Sequence, residues 1–128
     1  MTIEAAVYNR LATGSIGASV AVGQRLQGSA LPAVTIAVEE IEPIRSLDGT
    51  AGLYTTRVRV SSIADTYASA RTVANAVVVR LSGWTGTVGA TAVVASRHYR
   101  TEPEDLVPGE GEEDLPAECD EIFVIHHS

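Results

Sequence analysis

The chain has 128 residues, 45% of them hydrophobic but only 5% aromatic, and a formal net charge of −7. That length suits one ordinary domain with one core, so a single domain over 1–128 is expected. All nine basic residues are arginine; a phosphate loop that needs lysine is excluded, and no basic patch of the kind that grips DNA is visible.

The charge is unevenly placed. Ten of the sixteen acids lie between Glu102 and Glu121, a stretch with no base. The remainder, with nine arginines against six acids, is slightly positive. The apolar residues are mostly Ala and Val, and such small side chains each bury modest area. A core of that kind is expected to lean on partner subunits. Cys119 is the sole cysteine, so no internal disulfide can form and a reducing compartment is natural. The start, Met1-Thr2-Ile3-Glu4, does not read as a secretory signal, and no apolar run is long enough to cross a bilayer. A soluble protein made inside the cell, without membrane contact, is the expectation.

Thr2 is placed to cap a first helix, with Glu4 at the positive end of its dipole. Ile3, Ala6, Val7 and Leu11 recur at helical spacing. Gly14 and Gly17 break it, and Ser15 to Ala21 reads as a second short helical turn continuing to Gly23. Arg25-Leu26-Gln27 reads as a short strand. Pro32 opens a clearer one, in which Val34, Ile36 and Val38 alternate with Thr35, Ala37 and Glu39. Pro43 marks an edge position or the end of pairing.

The segment Arg45-Ser46-Leu47-Asp48-Gly49-Thr50-Ala51-Gly52 holds a turn signal at Asp48-Gly49. It is too long for a two-residue hairpin, and a protruding loop between antiparallel strands is predicted. The next strand puts Tyr54, Thr56, Val58 and Val60 on one face and Thr55, Arg57, Arg59 and Ser61 on the other. Two arginines side by side repel unless they meet water, acids or a partner. That leaves either a solvated face or an oligomer interface.

Asp65 or Thr66 caps a long helix whose apolar stripe is Tyr67, Ala70, Ala74, Val77, Val78 and Leu81. Arg80 suits the negative end of its dipole, Gly83 stops it, and Trp84 is expected to pack over its end. Thr87 to Arg100 reads as one strand with room for a bend at Gly89. Pro103 to Pro116 is acidic, carries Gly and Pro, and reads as an extended loop. Cys119 to His126 returns to strand with Ile122, Phe123, Val124 and Ile125 apolar on both faces, so it is expected to be covered on both sides, either by a helix and a partner or by a central place in the sheet. The order predicts an α+β fold: a largely antiparallel sheet with about two helices packed on one face.

No residue set names itself as an active site. His126 and His127 point to opposite faces and match no zinc spacing with Cys119. The acidic segment lacks the order of a calcium loop. There is no Gly-x-Ser-x-Gly elbow, and Cys119 sits between acids that disfavour a thiolate. No catalytic, metal-binding or cofactor-binding residue is assigned, and no enzyme activity is expected.

Ser46-Leu47-Asp48-Gly49, the strand Arg57-Val58-Arg59-Val60, then Tyr67-Ala68-Ser69-Ala70-Arg71 and Leu81-Ser82-Gly83-Trp84 together resemble the tail completion, or tail terminator, proteins of long-tailed bacteriophages. Ile3 to Leu11, Leu31-Pro32-Ala33-Val34-Thr35 and Ile122-Phe123-Val124-Ile125-His126 extend the resemblance over nearly the whole chain. The segment 102–118 is longer and more acidic than that pattern.

The resemblance implies a ring-forming α+β subunit, commonly hexameric, that caps the head-proximal end of the tail tube and docks to the head–tail connector or stopper. Gene transfer agents use the same part. Its partners would be copies of itself, the tail tube protein and the connector, with DNA only as passing cargo. Its place would be the virion, and the host cytoplasm during assembly. The competing readings are a head–tail adaptor or stopper, or an unrelated small binding module. The segment Arg45 to Gly52, with Arg57 and Arg59, is the expected contact to a neighbouring subunit or to the tail. Glu110, Glu112, Glu113 and Asp114 are expected to face the DNA passage, where acids repel the duplex.

Overall fold

The computed structural model describes residues 2–14, 16–23, 32–46, 49–88, 91–104 and 117–128. Along the chain come α1 (Ile3–Ala12), β1 (Ser19–Val22), β2 (Ala33–Ser46), β3 (Gly49–Ala64), α2 (Tyr67–Leu81), β4 (Gly86–Val88), β5 (Thr91–Glu104) and β6 (Ala117–His127). The strands make one six-stranded sheet in the order β1-β2-β3-β6-β5-β4. Only β1 and β2 run parallel; every other pair is antiparallel. The α+β class follows the sequence pattern.

Both helices start on a threonine. Thr2 Oγ1 accepts from the Ala5 N–H at 3.2 Å, and Thr66 Oγ1 accepts from the Ser69 N–H at 3.2 Å. Each satisfies a donor that the first helical turn leaves unpaired. α1 buries Ile3, Ala6, Val7 and Leu11, as its spacing predicts. α2 buries Ala70, Val73, Ala74, Val77 and Leu81. Its buried stripe therefore includes Val73, which the sequence reading omitted, while Tyr67 is 40% exposed. Tyr67 is the first residue of the helix, where little chain lies beneath it to cover the ring.

These side chains meet Val34, Ile36, Val58, Val60, Phe123 and Ile125 on one face of the sheet. The register explains the match: Ile36 opposes Val60, and Val58 opposes Phe123. β6 lies between β3 and β5, so its Ile122, Phe123, Val124 and Ile125 are buried on both faces.

The helix C-termini meet and cap each other. Arg10 Nε donates to the Arg80 carbonyl at 3.0 Å, and Arg80 Nε donates to the Arg10 carbonyl at 2.9 Å. Each guanidinium thus satisfies a terminal carbonyl of the other helix and lies at the negative end of its dipole. Burial and the nearby Arg80 charge hold the Arg10 pKa below its ordinary value. Gly83 ends α2 at φ +74°, a left-handed conformation that costs glycine little. Trp84 is buried beyond it under the Arg10 guanidinium, 5.7 Å from the ring centroid.

Three local expectations change. Ser15 to Ala21 is not a helical turn: Ser19 to Val22 is a strand, held by parallel pairing to β2, a long-range contact that local spacing does not encode. Thr87 to Arg100 is not one strand but β4 and β5, paired back on themselves with Gly86 opposite Val93. Arg45 to Gly52 is not a protruding loop. β2 runs to Ser46 and β3 begins at Gly49, which pairs with Ser46, and the length is taken up by a register shift that leaves Ala51 and Gly52 unmatched. Leu47 and Asp48 lie outside the described residues, as do Arg25-Leu26-Gln27 and Gly89.

Candidate functional site

Two ends and one face of the sheet stand outside the helix-packed core. β3 pairs with β6 only as far as Tyr54 opposite His127. Beyond that row, Ile44–Ser46 and Gly49–Leu53 pair only with each other among the described residues. They form a two-stranded arm. Arg45, Ser46, Gly49, Thr50, Ala51 and Gly52 all belong to it.

The opposite end of the sheet is the row where Glu104 opposes Glu118 and Ala64 opposes Ala117. The acidic segment leaves and rejoins the fold there. Glu110, Glu112, Glu113 and Asp114 lie outside the described residues. The antiparallel register alone places the arm and the attachment of the acidic segment at opposite poles.

Between the poles, the face opposite α1 and α2 is charged. Arg59 sits at its centre. Its Nε donates to Glu39 at 2.7 Å, and its Nη1 donates to Glu102 and to Asp120, each at 2.7 Å. Thus one arginine on β3 ties together β2, β5 and β6. The hydrogen bond to Glu102, with the others, raises the Arg59 pKa beyond its ordinary value, against the opposing effect of burial. The same bond to Arg59 holds Glu102 below the usual carboxylate range. Arg59 therefore meets acids of its own chain.

Arg57 lies two residues away on the same face. Its guanidinium stands 4.9 Å from the Tyr99 ring centroid, with Arg100 at 5.6 Å from the same ring. Glu40, Glu42, Thr55, Arg57, Arg97 and His126 help line a shallow groove of about 210 Å³ here. Glu42 is pushed above the usual carboxylate range, first by a hydrogen bond to Glu40 and then by its charge.

A second polar cluster lies on the helix side. The Glu121 carboxylate is almost fully buried. Thr101 Oγ1 donates to it at 2.6 Å, His98 Nε2 bonds the same oxygen, and Arg71 of α2 stands at 3.7 Å. Four residues from three elements, α2, β5 and β6, satisfy one another, which is the condition for burying a carboxylate. Cys119 lies beside them, and burial is the main cause that raises its thiol pKa. Sequence reading missed this cluster. Its one available signal was alternation, which puts Cys119, Glu121 and Phe123 on the same face of β6.

Residues 5–106 match the family model described as tail completion protein gp17. A chain in the solved structure of the virion of a native gene transfer agent (GTA) particle has a similar fold, with a TM-score of 0.76. The alignment covers 98% of this chain and 93% of that one at 20% identity. No curated protein sequence matches the chain.

Proposed function

The chain belongs to the family of tail completion protein gp17, and on that premise we propose that it is the tail terminator of a phage-like particle. In this reading it is a structural subunit without substrate turnover. Copies close into a ring, hexameric in the simplest case. The ring caps the head-proximal end of the tail tube and joins it to the head connector or stopper, while DNA passes through as cargo. The observation that carries the reading is the family match over residues 5–106. The likeness of fold to a chain of a gene transfer agent virion supports it.

The two poles suit a part that works between two neighbours. The arm, including Arg45 to Gly52, reaches an adjacent subunit or the tube. The acidic segment faces the DNA passage, where Glu110, Glu112, Glu113 and Asp114 keep the duplex from adhering.

Mixing purified protein with growing tail tubes tests the main claim. Electron micrographs are expected to show it at one tube end, with growth arrested. Binding to connectors but not to tubes would instead make it an adaptor or stopper. Deleting Asp48 to Ala51 is expected to leave the chain folded but unable to assemble; normal particles would remove the arm from the contact. Neutralising the four acids is expected to slow DNA passage, and unchanged ejection would remove that role.

A further inference from the structure

The outermost strands, β1 and β4, are short and cover only part of the outer edges of β2 and β5. β1 pairs with β2 from Ala33 to Ile36, and among the described residues nothing pairs with the outer side of β2 from Ala37 onward. At the other side, β4 pairs with β5 from Thr91 to Val93. The Gly83 N–H then donates to the Ser96 carbonyl at 2.7 Å, and among the described residues β5 has no further outer pairing. An open edge is a row of unpaired backbone donors and acceptors, ready to accept another strand.

The two edges lie level with each other. Following the register across the sheet, Ala37 aligns with Arg59, Ile122 and Arg100; Glu40 aligns with Arg57, Val124 and Arg97. The open stretch of β2 therefore begins at the height where the open stretch of β5 runs. Their charges are opposite. Glu39, Glu40 and Glu42 crowd β2 with no base among them, whereas β5 carries Arg97 and Arg100 before its first acid at Glu102.

Some of these charges are already used. Glu39 is held by Arg59, and Arg100 pairs with Glu102 at 2.6 Å. Glu40, Glu42 and Arg97 form no ion pair among the described residues. The Glu42 pKa is raised first by a hydrogen bond to Glu40 and then by that neighbour's charge, against the lowering effect of Arg57. Exposed apolar side chains also stand on these stretches: Ile41 at 50% and Tyr99 at 44%.

We propose that copies of this chain join head to tail by strand pairing, the acidic outer edge of β2 in one copy against the basic outer edge of β5 in the next. Glu40 and Glu42 face Arg97 across the joint. β2, β3, β6 and β5 alternate in direction, so β5 of one copy meets β2 of the next antiparallel and the sheet continues without a break. Using two different surfaces on opposite sides of the subunit is the heterologous geometry that closes into rings. Pro43, which lacks an N–H, limits how far the pairing runs toward the arm. The inference rests on the ring reading above and names the surfaces that make the ring.

The test compares three variants with wild type on tail tubes: Glu40→Arg with Glu42→Arg, Arg97→Glu with Arg100→Glu, and all four together. Circular dichroism and thermal melting check that each is folded. Ring occupancy at tube ends is counted in micrographs against protein concentration, and amide exchange is followed at 37–42 and 97–100. Each half-reversal is expected to raise the concentration needed for rings by about tenfold or more, the scale of losing a close interfacial charge pair. The four-fold variant is expected to recover most of that loss, because complementarity is restored. Amides at both edges should exchange more slowly in rings than in the free chain. Wild-type rings that are insensitive to both half-reversals, with edge amides unprotected, overturn the edge pairing alone and mean that the charges only keep stray strands away. A wild-type chain that never forms rings on tubes overturns the edge pairing and the ring reading together.

Discussion

The two faces of the sheet are held by different physics. The helix-covered face is a packed layer of small and medium apolar residues, in which Val34, Ile36, Val58, Val60, Phe123 and Ile125 meet α1 and α2. The other face carries neither α1 nor α2 and is tied by side-chain charge, with Arg59 bonded to Glu39, Glu102 and Asp120. Hydrophobic burial is non-directional and scales with area, so the first face supplies most of the folding free energy. Charge-assisted bonds are directional and depend on salt and pH, so the second face fixes the relation of strands more than it stabilises them. A protein that works by fitting neighbours gains from that division: the covered face keeps the fold while the charged face and its edges stay available.

The comparison is broken most severely from the covered face. Phe123→Ala leaves a cavity beneath both helices and is expected to cost about 3–5 kcal/mol, a large part of a small domain's stability. Urea denaturation measures it, and a loss below about 1 kcal/mol would mean that the helices are not the main source of stability.

The charged face is expected to respond more weakly and in a pH-dependent way. Arg59→Ala leaves Asp120 buried without its cation, while Glu39 and Glu102 return to water. A cost of about 1–2 kcal/mol is expected at neutral pH and low salt, discounted for the partial exposure of the pairs. Glu102 is depressed in the fold, chiefly by Arg59. Its contribution is therefore present above the unfolded carboxylate pKa and is lost as pH falls through the folded value. The stability gap between wild type and Arg59→Ala should narrow on acidification; a gap that is constant from neutral pH into acid would sink the role of the charge node.

The smallest effect sharpens the boundary between the two regimes. Gly83 stops α2 with a positive φ and nothing within 4 Å of where a Cβ would stand. Gly83→Ala is therefore expected to cost about 1 kcal/mol from backbone conformation alone. Thermal melting reads it, and a change near zero would show that the helix end relaxes without the left-handed residue.

Much of the architecture was legible along the chain, because helices and strands announce themselves through local periodicity. The Thr2 cap, the apolar stripe of α1, the alternation of β3 and the two-sided burial of β6 all rest on neighbours within a few residues. So did Gly83 and the packing of Trp84. The arm was legible only in part. Gly49 and Gly52 suggested a loop, whereas pairing across the hairpin carried both strands through that segment and absorbed Ala51 and Gly52 in a register shift. Propensity is a local quantity, and cross-strand pairing overrode it.

Residue chemistry by itself determined the small-residue α+β core, the concentration of acid in one segment and the family to which the ordered motifs point. Tertiary structure decided the rest: that β1 is a strand, that Arg59 spends its charge on Glu39, Glu102 and Asp120, that Glu121 is buried among Thr101, His98 and Arg71, and that the acidic and basic edges lie level on opposite sides. The physical reason is distance along the chain. Side chains within a few residues of one another impose a periodic pattern that can be read directly, whereas partners dozens of residues apart become neighbours only once strand order and register have brought them together.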